Sequence, residues 1–150
     1  MAALGRPRRS CLAVPGSSVK MLDKAQGLPA DRVFLDLEDA VAPLAKPEAR
    51  KNVVAALNDG DWGGRTRVVR VNDLTTPWTY RDVVEVVEGA GANLDCIMLP
   101  KVQTADQIEH KLSLLTTALS HLPDSHRSRS ASASPFDAAD SASMPKTSAK

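Results

Sequence analysis

Apolar residues fall along this chain in two alternating rhythms. Ser10–Val14, Val33–Leu35, Thr66–Val71 and Leu94–Leu99 carry the short, β-branched, near-continuous apolarity of strands buried in a parallel sheet. Between them, apolar positions recur at helical spacing. Val19, Met21, Leu22 and Ala25 mark a first helix, Ala49, Val53, Ala56 and Leu57 a second over Glu48–Leu57, with Arg50 and Lys51 outward. Tyr80, Val83, Val84, Val86 and Val87 mark a third over Trp78–Glu88, and Thr104 opens a fourth over Ala105–Leu122. Breakers punctuate the pattern where they should: Pro15-Gly16-Ser17-Ser18, Gly27 and Pro29, Pro43 and Pro47, Asn58 to Gly64, then Gly89 and Gly91 closing the third helix. Four strand–helix units in succession predict an α/β fold, either a doubly wound sheet or part of a (β/α)8 barrel. Patterning alone does not choose between the two.

The rhythm stops near Leu122. Pro123 to Lys150 is rich in Ser and Ala, keeps only Phe136 and Met144 as large apolar residues, and is expected to be a disordered low-complexity tail. The expected organisation is a flexible N-terminus over 1–9, one domain over 10–122 and the tail over 123–150.

Composition narrows the function classes. A formal net charge of +1 and an aromatic content of 3% supply neither a positive field nor stacking platforms, so nucleic-acid binding has no support. No apolar run approaches the ~20 residues of a membrane span, and Met1 to Ser10 lacks the apolar centre expected of a secretory signal. Arg6, Arg8 and Arg9 faintly resemble an organelle-targeting start, which leaves the cytoplasm and the mitochondrial matrix both open. Cys11 and Cys96 lie in the first and fourth strands without metal-ligand or C-x-x-C spacing, and are expected to be buried, reduced thiols.

Candidate chemistry gathers at strand exits, where ligands collect in folds of this class. Val33-Phe34-Leu35 runs into three acids, Asp36, Glu38 and Asp39; for Asp39 alone a helix cap is the plainer reading. Arg70 ends the third strand, where it can pair bidentately with a carboxylate of a substrate or serve as a framework partner of Asp36 or Glu38. The fourth strand delivers Pro100 and Lys101 to the same edge. Lys20 and Lys24 sit near the start of the first helix, beside uncapped backbone N–H groups that suit a phosphate or carboxylate, or form a solvated lysine face. His110 and His121 have no partner at metal-ligand spacing, and no glycine-rich nucleotide fingerprint follows any strand.

The succession Arg8 to Ser17, Leu35-Asp36-Leu37-Glu38-Asp39-Ala40-Val41, Lys46-Pro47-Glu48-Ala49-Arg50, Arg70-Val71-Asn72 and Leu99-Pro100-Lys101-Val102 resembles the citrate lyase β-subunit-like group. That group stands with malyl-CoA and citramalyl-CoA lyases in the HpcH/HpaI aldolase superfamily. The resemblance implies a TIM barrel that cleaves or forms a carbon–carbon bond in a 3-hydroxyacyl-CoA thioester, with Mg²⁺ stabilising an enolate-type oxyanion. It also implies site roles: Arg70 gripping the substrate's carboxylate and carbonyl oxygens, Lys20 and Lys24 contacting the substrate or its CoA part, and Glu38 and Asp39, with Asp36 beside them, orienting Arg70 or the metal's water shell. Lys101 lies at a matching motif with no fixed role, and Ala13 stands where some relatives carry an aromatic residue.

The resemblance ends near Leu122, before the later strands on which the family carries its two Mg²⁺ ligands. A whole barrel takes ~250 residues, so the expectation is the N-terminal half, four βα units, with no metal ligands of its own and no Mg²⁺ bound by this chain alone. Such a half leaves two strand edges open and is expected to associate through them, as a homo-oligomer or with another half. Two readings follow. One is an Mg²⁺-dependent CoA-ester lyase completed by another half; the other is a silent fragment or pseudoenzyme, as a truncated product would be, that binds a CoA ester or joins a full-length relative.

Overall fold

The computed structural model describes residues 8–120. The expected Ser/Ala-rich tail, most of the expected flexible N-terminus, and His121 lie outside the described residues. Four strands, β1 (Cys11–Pro15), β2 (Arg32–Asp36), β3 (Thr66–Arg70) and β4 (Cys96–Met98), form one sheet in sequential order with every pairing parallel. Parallel neighbours need a crossover that carries the chain back, and helices α1 (Val19–Gln26), α2 (Lys46–Asp59) and α3 (Thr79–Ala90) supply it. Helix α4 (Ala105–Ser120) follows β4 and packs on α3. A 3₁₀ turn over Pro43–Ala45 leads into α2, and another over Gly91–Asn93 follows α3.

Strand register decides which face each residue occupies. Val14, Val33, Leu35, Val69 and Val71 share one face and form the core with Leu22, Ala25, Ala49, Val53, Leu57, Val83, Val86 and Val87 of the helices. The other face carries Cys11, Ala13, Arg32, Phe34, Asp36, Thr66, Val68, Arg70, Cys96 and Met98. Val68 is buried yet stands apart from the helix-side core. This second face is the one that a closed barrel turns inward.

The faces explain a correction. Cys11 and Cys96, expected to be buried, are both exposed free thiols. They sit on the two outer strands, each with a neighbouring strand on one side alone among the described residues, and on the face away from the helices, so the core does not cover them.

Three helix features also differ from the pattern's expectation. Helix α2 begins at Lys46 and runs to Asp59, and Arg50, expected outward, is buried on the same stripe as Lys46, Ala49, Val53 and Leu57. Glycine at position 89 does not end α3. A Cβ there would stand 2.7 Å from Cγ1 of Val54, so Gly89 lets α3 lie close against α2. Tyr80 points away from the core and is exposed. Helix α1 is closed by an unforeseen staple: Arg65 donates to the carbonyls of Ala25, Leu28 and Gln26 while its guanidinium lies 5.7 Å from the ring centre of buried Trp62.

Candidate functional site

The register aligns Asp36 at the end of β2 with Arg70 at the end of β3. Their side chains meet as a fork: Arg70 Nε donates to Oδ1 of Asp36 at 2.9 Å and Nη2 to Oδ2 at 2.7 Å. Nη1 of Arg70 lies 3.3 Å from Oε2 of Glu38, and the guanidinium sits 5.4 Å from the ring centre of Phe34 on the same face. Lys101, just past β4, brings its ammonium to 3.0 Å from Oε1 of Glu38 and 3.2 Å from Oδ1 of Asp39. Five of the expected residues therefore form one cluster at the C-terminal rim of the sheet.

Burial grades the cluster. Asp36 and Glu38 are buried, the Arg70 side chain is 24% exposed, and Asp39 and Lys101 are open to solvent. Burial pushes the Asp36 carboxyl up, but the Arg70 guanidinium and the backbone N–H groups of Glu38 and Ala40 outweigh it and hold the group below the usual aspartate range. The same pairing raises Arg70. Lys101 is raised by Glu38 and Asp39, and its backbone adopts φ 51°, a left-handed conformation that a lysine keeps only where its surroundings impose it. Asp39 therefore pairs with Lys101 and caps no helix.

Arg70 is thus the framework partner of both Asp36 and Glu38. That pairing does not use it up. A guanidinium has five N–H groups, and its contacts with Asp36 and Glu38 engage three, so two can still meet a carboxylate or a developing oxyanion.

Lys20 and Lys24 stand elsewhere. Ser18 caps α1 by accepting from the backbone N–H of Met21, so the helix start expected to be uncapped has a side-chain partner. Lys20 is in the first turn, at the end of α1 that follows the rim, whereas Lys24 is in the last turn, about 6 Å along the axis, where the helix dipole favours a cation. Both are exposed. His110 is exposed on α4.

Beneath the rim lies a polar network that sequence reading did not assign. Lys46 is buried and donates to the carbonyls of Leu37 and Glu38 and to Oδ1 of Asn72. Asn72 in turn donates to Leu37 and to buried Asp82, which Arg50 also contacts, and Arg50 reaches Glu85. A signal was present: Asp82 shares the helical stripe of Thr79, Val83 and Val86, and a carboxylate on an apolar stripe demands a buried partner.

Comparison with known proteins decides the family. The model of the HpcH/HpaI aldolase/citrate lyase family matches residues 9–127. The chain belongs to this family. An L-malyl-CoA/beta-methylmalyl-CoA lyase of Cereibacter sphaeroides is 46% identical over 114 residues, which are 76% of this chain and 36% of the relative. A (3S)-malyl-CoA thioesterase of the same species is 43% identical over 115 residues, 77% of this chain and 39% of that protein. The chain thus spans little more than a third of the length of the curated relatives it matches. Among solved structures, the citrate lyase beta subunit of M. tuberculosis complexed with oxaloacetate and magnesium superposes with TM-score 0.55 at 32% identity, over 69% of this chain and 44% of that one. Malate synthase of Haloferax volcanii, at TM-score 0.65 and 22% identity, covers 73% of this chain and 36% of its own, and speaks for the fold alone. The four βα units are therefore part of a TIM-barrel-like domain of this family.

The rim acids do not fit a divalent cation. Both oxygens of Asp36 are taken by Arg70 and backbone N–H groups, Glu38 lies between Arg70 and Lys101, and Asp39 turns to Lys101. Among the described residues no group of three or more His, Cys, Asp or Glu is placed to hold a metal ion. No described helix is long and apolar enough to cross a membrane.

Proposed function

We propose that this chain supplies the substrate-gripping half of a CoA-thioester carbon–carbon lyase site, of the malyl-CoA or citramalyl-CoA class. The observation that carries the reading is the Arg70 guanidinium, fixed at the rim by buried Asp36 and Glu38 with two N–H groups to spare, in a chain of this family. A cation already held in place stabilises a developing enolate or a substrate carboxylate without reorganising when charge moves. Lys101 adds a second positive group beside it, and Lys20 sits at the rim end of α1 to meet the phosphates of the CoA part; Lys24 contributes only if that part extends along the helix. Magnesium is named for solved structures similar to this chain, and the rim acids, already held by Arg70, Lys101 and backbone N–H groups, do not fit it.

The open sheet face and the outer strands β1 and β4 favour association, through which a second half would complete the barrel. They equally support the second reading, a silent fragment that binds a CoA ester or joins a full-length relative. The bacterial relatives favour the cytoplasm over the mitochondrial matrix as the compartment. The test is malyl-CoA binding and Mg²⁺-dependent cleavage by the purified chain, with and without Arg70→Ala. Binding lost in the variant supports the gripping half, and turnover supports an assembled enzyme. Binding without turnover at any protein concentration supports the silent fragment, and no binding by either protein overturns the proposal.

A further inference from the structure

We propose that Lys46 is a positioning residue for the Arg70 rim: its buried ammonium pins the Leu37–Glu38 backbone and thereby sets the carboxylate that Arg70 and Lys101 share. The inference rests on reading that rim as the ligand site.

Lys46 is the first residue of α2 and only 4% exposed. Its three N–H groups are all spent, on the Leu37 carbonyl at 2.8 Å, the Glu38 carbonyl at 2.9 Å and Oδ1 of Asn72 at 2.6 Å. The Trp78 ring covers it at 5.0 Å. Burial lowers its pKa, against the opposing pull of Asp82, Asp36, Glu38 and Asp39. A buried lysine is costly, and an apolar residue of similar volume would serve packing as well or better. What an apolar residue cannot do is hold two successive carbonyls.

Those carbonyls belong to the segment between β2 and the 3₁₀ turn, which has no regular secondary structure to fix it. Side chains and single backbone contacts hold it instead. The N–H of Leu37 meets the Arg70 carbonyl at 2.9 Å, Asp36 takes the N–H groups of Glu38 and Ala40, and the N–H of Val41 meets the Glu38 carbonyl at 3.2 Å. Beyond the backbone, the buried Glu38 carboxylate has ion pairs but no well-aligned hydrogen bond on either oxygen. Its position is therefore inherited from the backbone that Lys46 secures. Asn72, braced by Asp82, ties the same ammonium to the exit of β3, next to Arg70.

Lys46→Met removes the three N–H groups and keeps the volume; Glu85→Gln weakens the same network at its far end, on Arg50, without touching the rim. Two readouts need no ligand: the Arg70 Nε–H resonance, and amide exchange at Leu37 and Val41. Lys46→Met shifts the resonance and speeds exchange at both amides several-fold, while Glu85→Gln leaves both at the wild-type values. A folded Lys46→Met protein with wild-type resonance and exchange overturns the proposal. Should Lys46→Met not fold, the wild-type ammonium decides: slow exchange with couplings across hydrogen bonds to the Leu37 and Glu38 carbonyl carbons supports the role, and a freely exchanging ammonium overturns it. A malyl-CoA titration completes the set. If the unliganded readouts move as described and malyl-CoA binds neither protein, the proposed function fails while the positioning role stands.

Discussion

Replacing Arg70 by Met leaves a buried carboxylate without its counter-ion, and the cost follows from the geometry. Asp36 is 1% exposed and loses two charge-assisted hydrogen bonds, of 2.9 and 2.7 Å, while keeping those from the backbone of Glu38 and Ala40. Removing one member of a fully buried pair costs ~3–5 kcal/mol. Water reaching the vacated side of a guanidinium that was a quarter exposed, and the two remaining N–H donors, bring the expectation to about 2–3 kcal/mol, out of a total stability on the order of 5–15. Methionine retains the apolar stem beside Phe34, so the loss reports the charge. In the wild type the folded pKa of Asp36 lies below its unfolded value. Its contribution is therefore complete above the unfolded pKa and lost as pH falls through the folded one. Arg70→Met removes the guanidinium's share of that lowering, so the stability gap between the two proteins is widest near pH 7 and narrows as the carboxylate is protonated below about pH 4. Urea denaturation across that range measures it. A gap under ~0.5 kcal/mol, the scale of an unremarkable surface substitution, or one that does not change with pH, refutes the pairing.

Three further outcomes are expected. Gly16→Ala places a Cβ 2.8 Å from Cγ2 of Val53 and 2.9 Å from the Asp36 carbonyl, and should cost about 1–3 kcal/mol by urea denaturation; Gly64→Ala, which meets nothing within 4 Å, is the control. Both Cys11 and Cys96 should react with a thiol reagent in the unassociated native protein, and protection of both on concentrating it would locate self-association at the open face and outer strands. Lys101→Gly removes the left-handed strain together with the ion pairs to Glu38 and Asp39, so the melting temperature should hold while malyl-CoA affinity falls. A large drop in melting temperature would show Lys101 to be structural.

The parts of this fold legible in the sequence are those set by local pattern. Val33-Phe34-Leu35 followed by three acids announces a buried parallel strand and its exit, and the placing of Arg70 at the end of the next strand brings guanidinium and carboxylates to one rim. What pattern could not supply is register and side-chain reach. Cys11 and Cys96 look like core residues until pairing puts them on the outer strands and the far face. Arg50 looks solvated until the stripe of Lys46, Ala49, Val53 and Leu57 carries it toward Asp82 and Glu85. Gly89 looks like a helix end because its reason for being glycine is a neighbour, Val54, on another helix. The Lys46, Asn72 and Asp82 network spans residues far apart in sequence, and only the tertiary fold joins them.

The most direct measurement is a titration of malyl-CoA into the folded, ¹⁵N-labelled chain, following the Arg70 Nε–H and the backbone amides, those of residues 36–41 and 101 above all. Saturable shifts are predicted at the Arg70 Nε–H and at the Lys101 amide, the latter vanishing in Arg70→Ala. Shifts confined to the cleft of about 340 Å³ between α1 and α2, lined by Asp23, Gln26, Asn52 and Asp59, or no shifts at all, would contradict it.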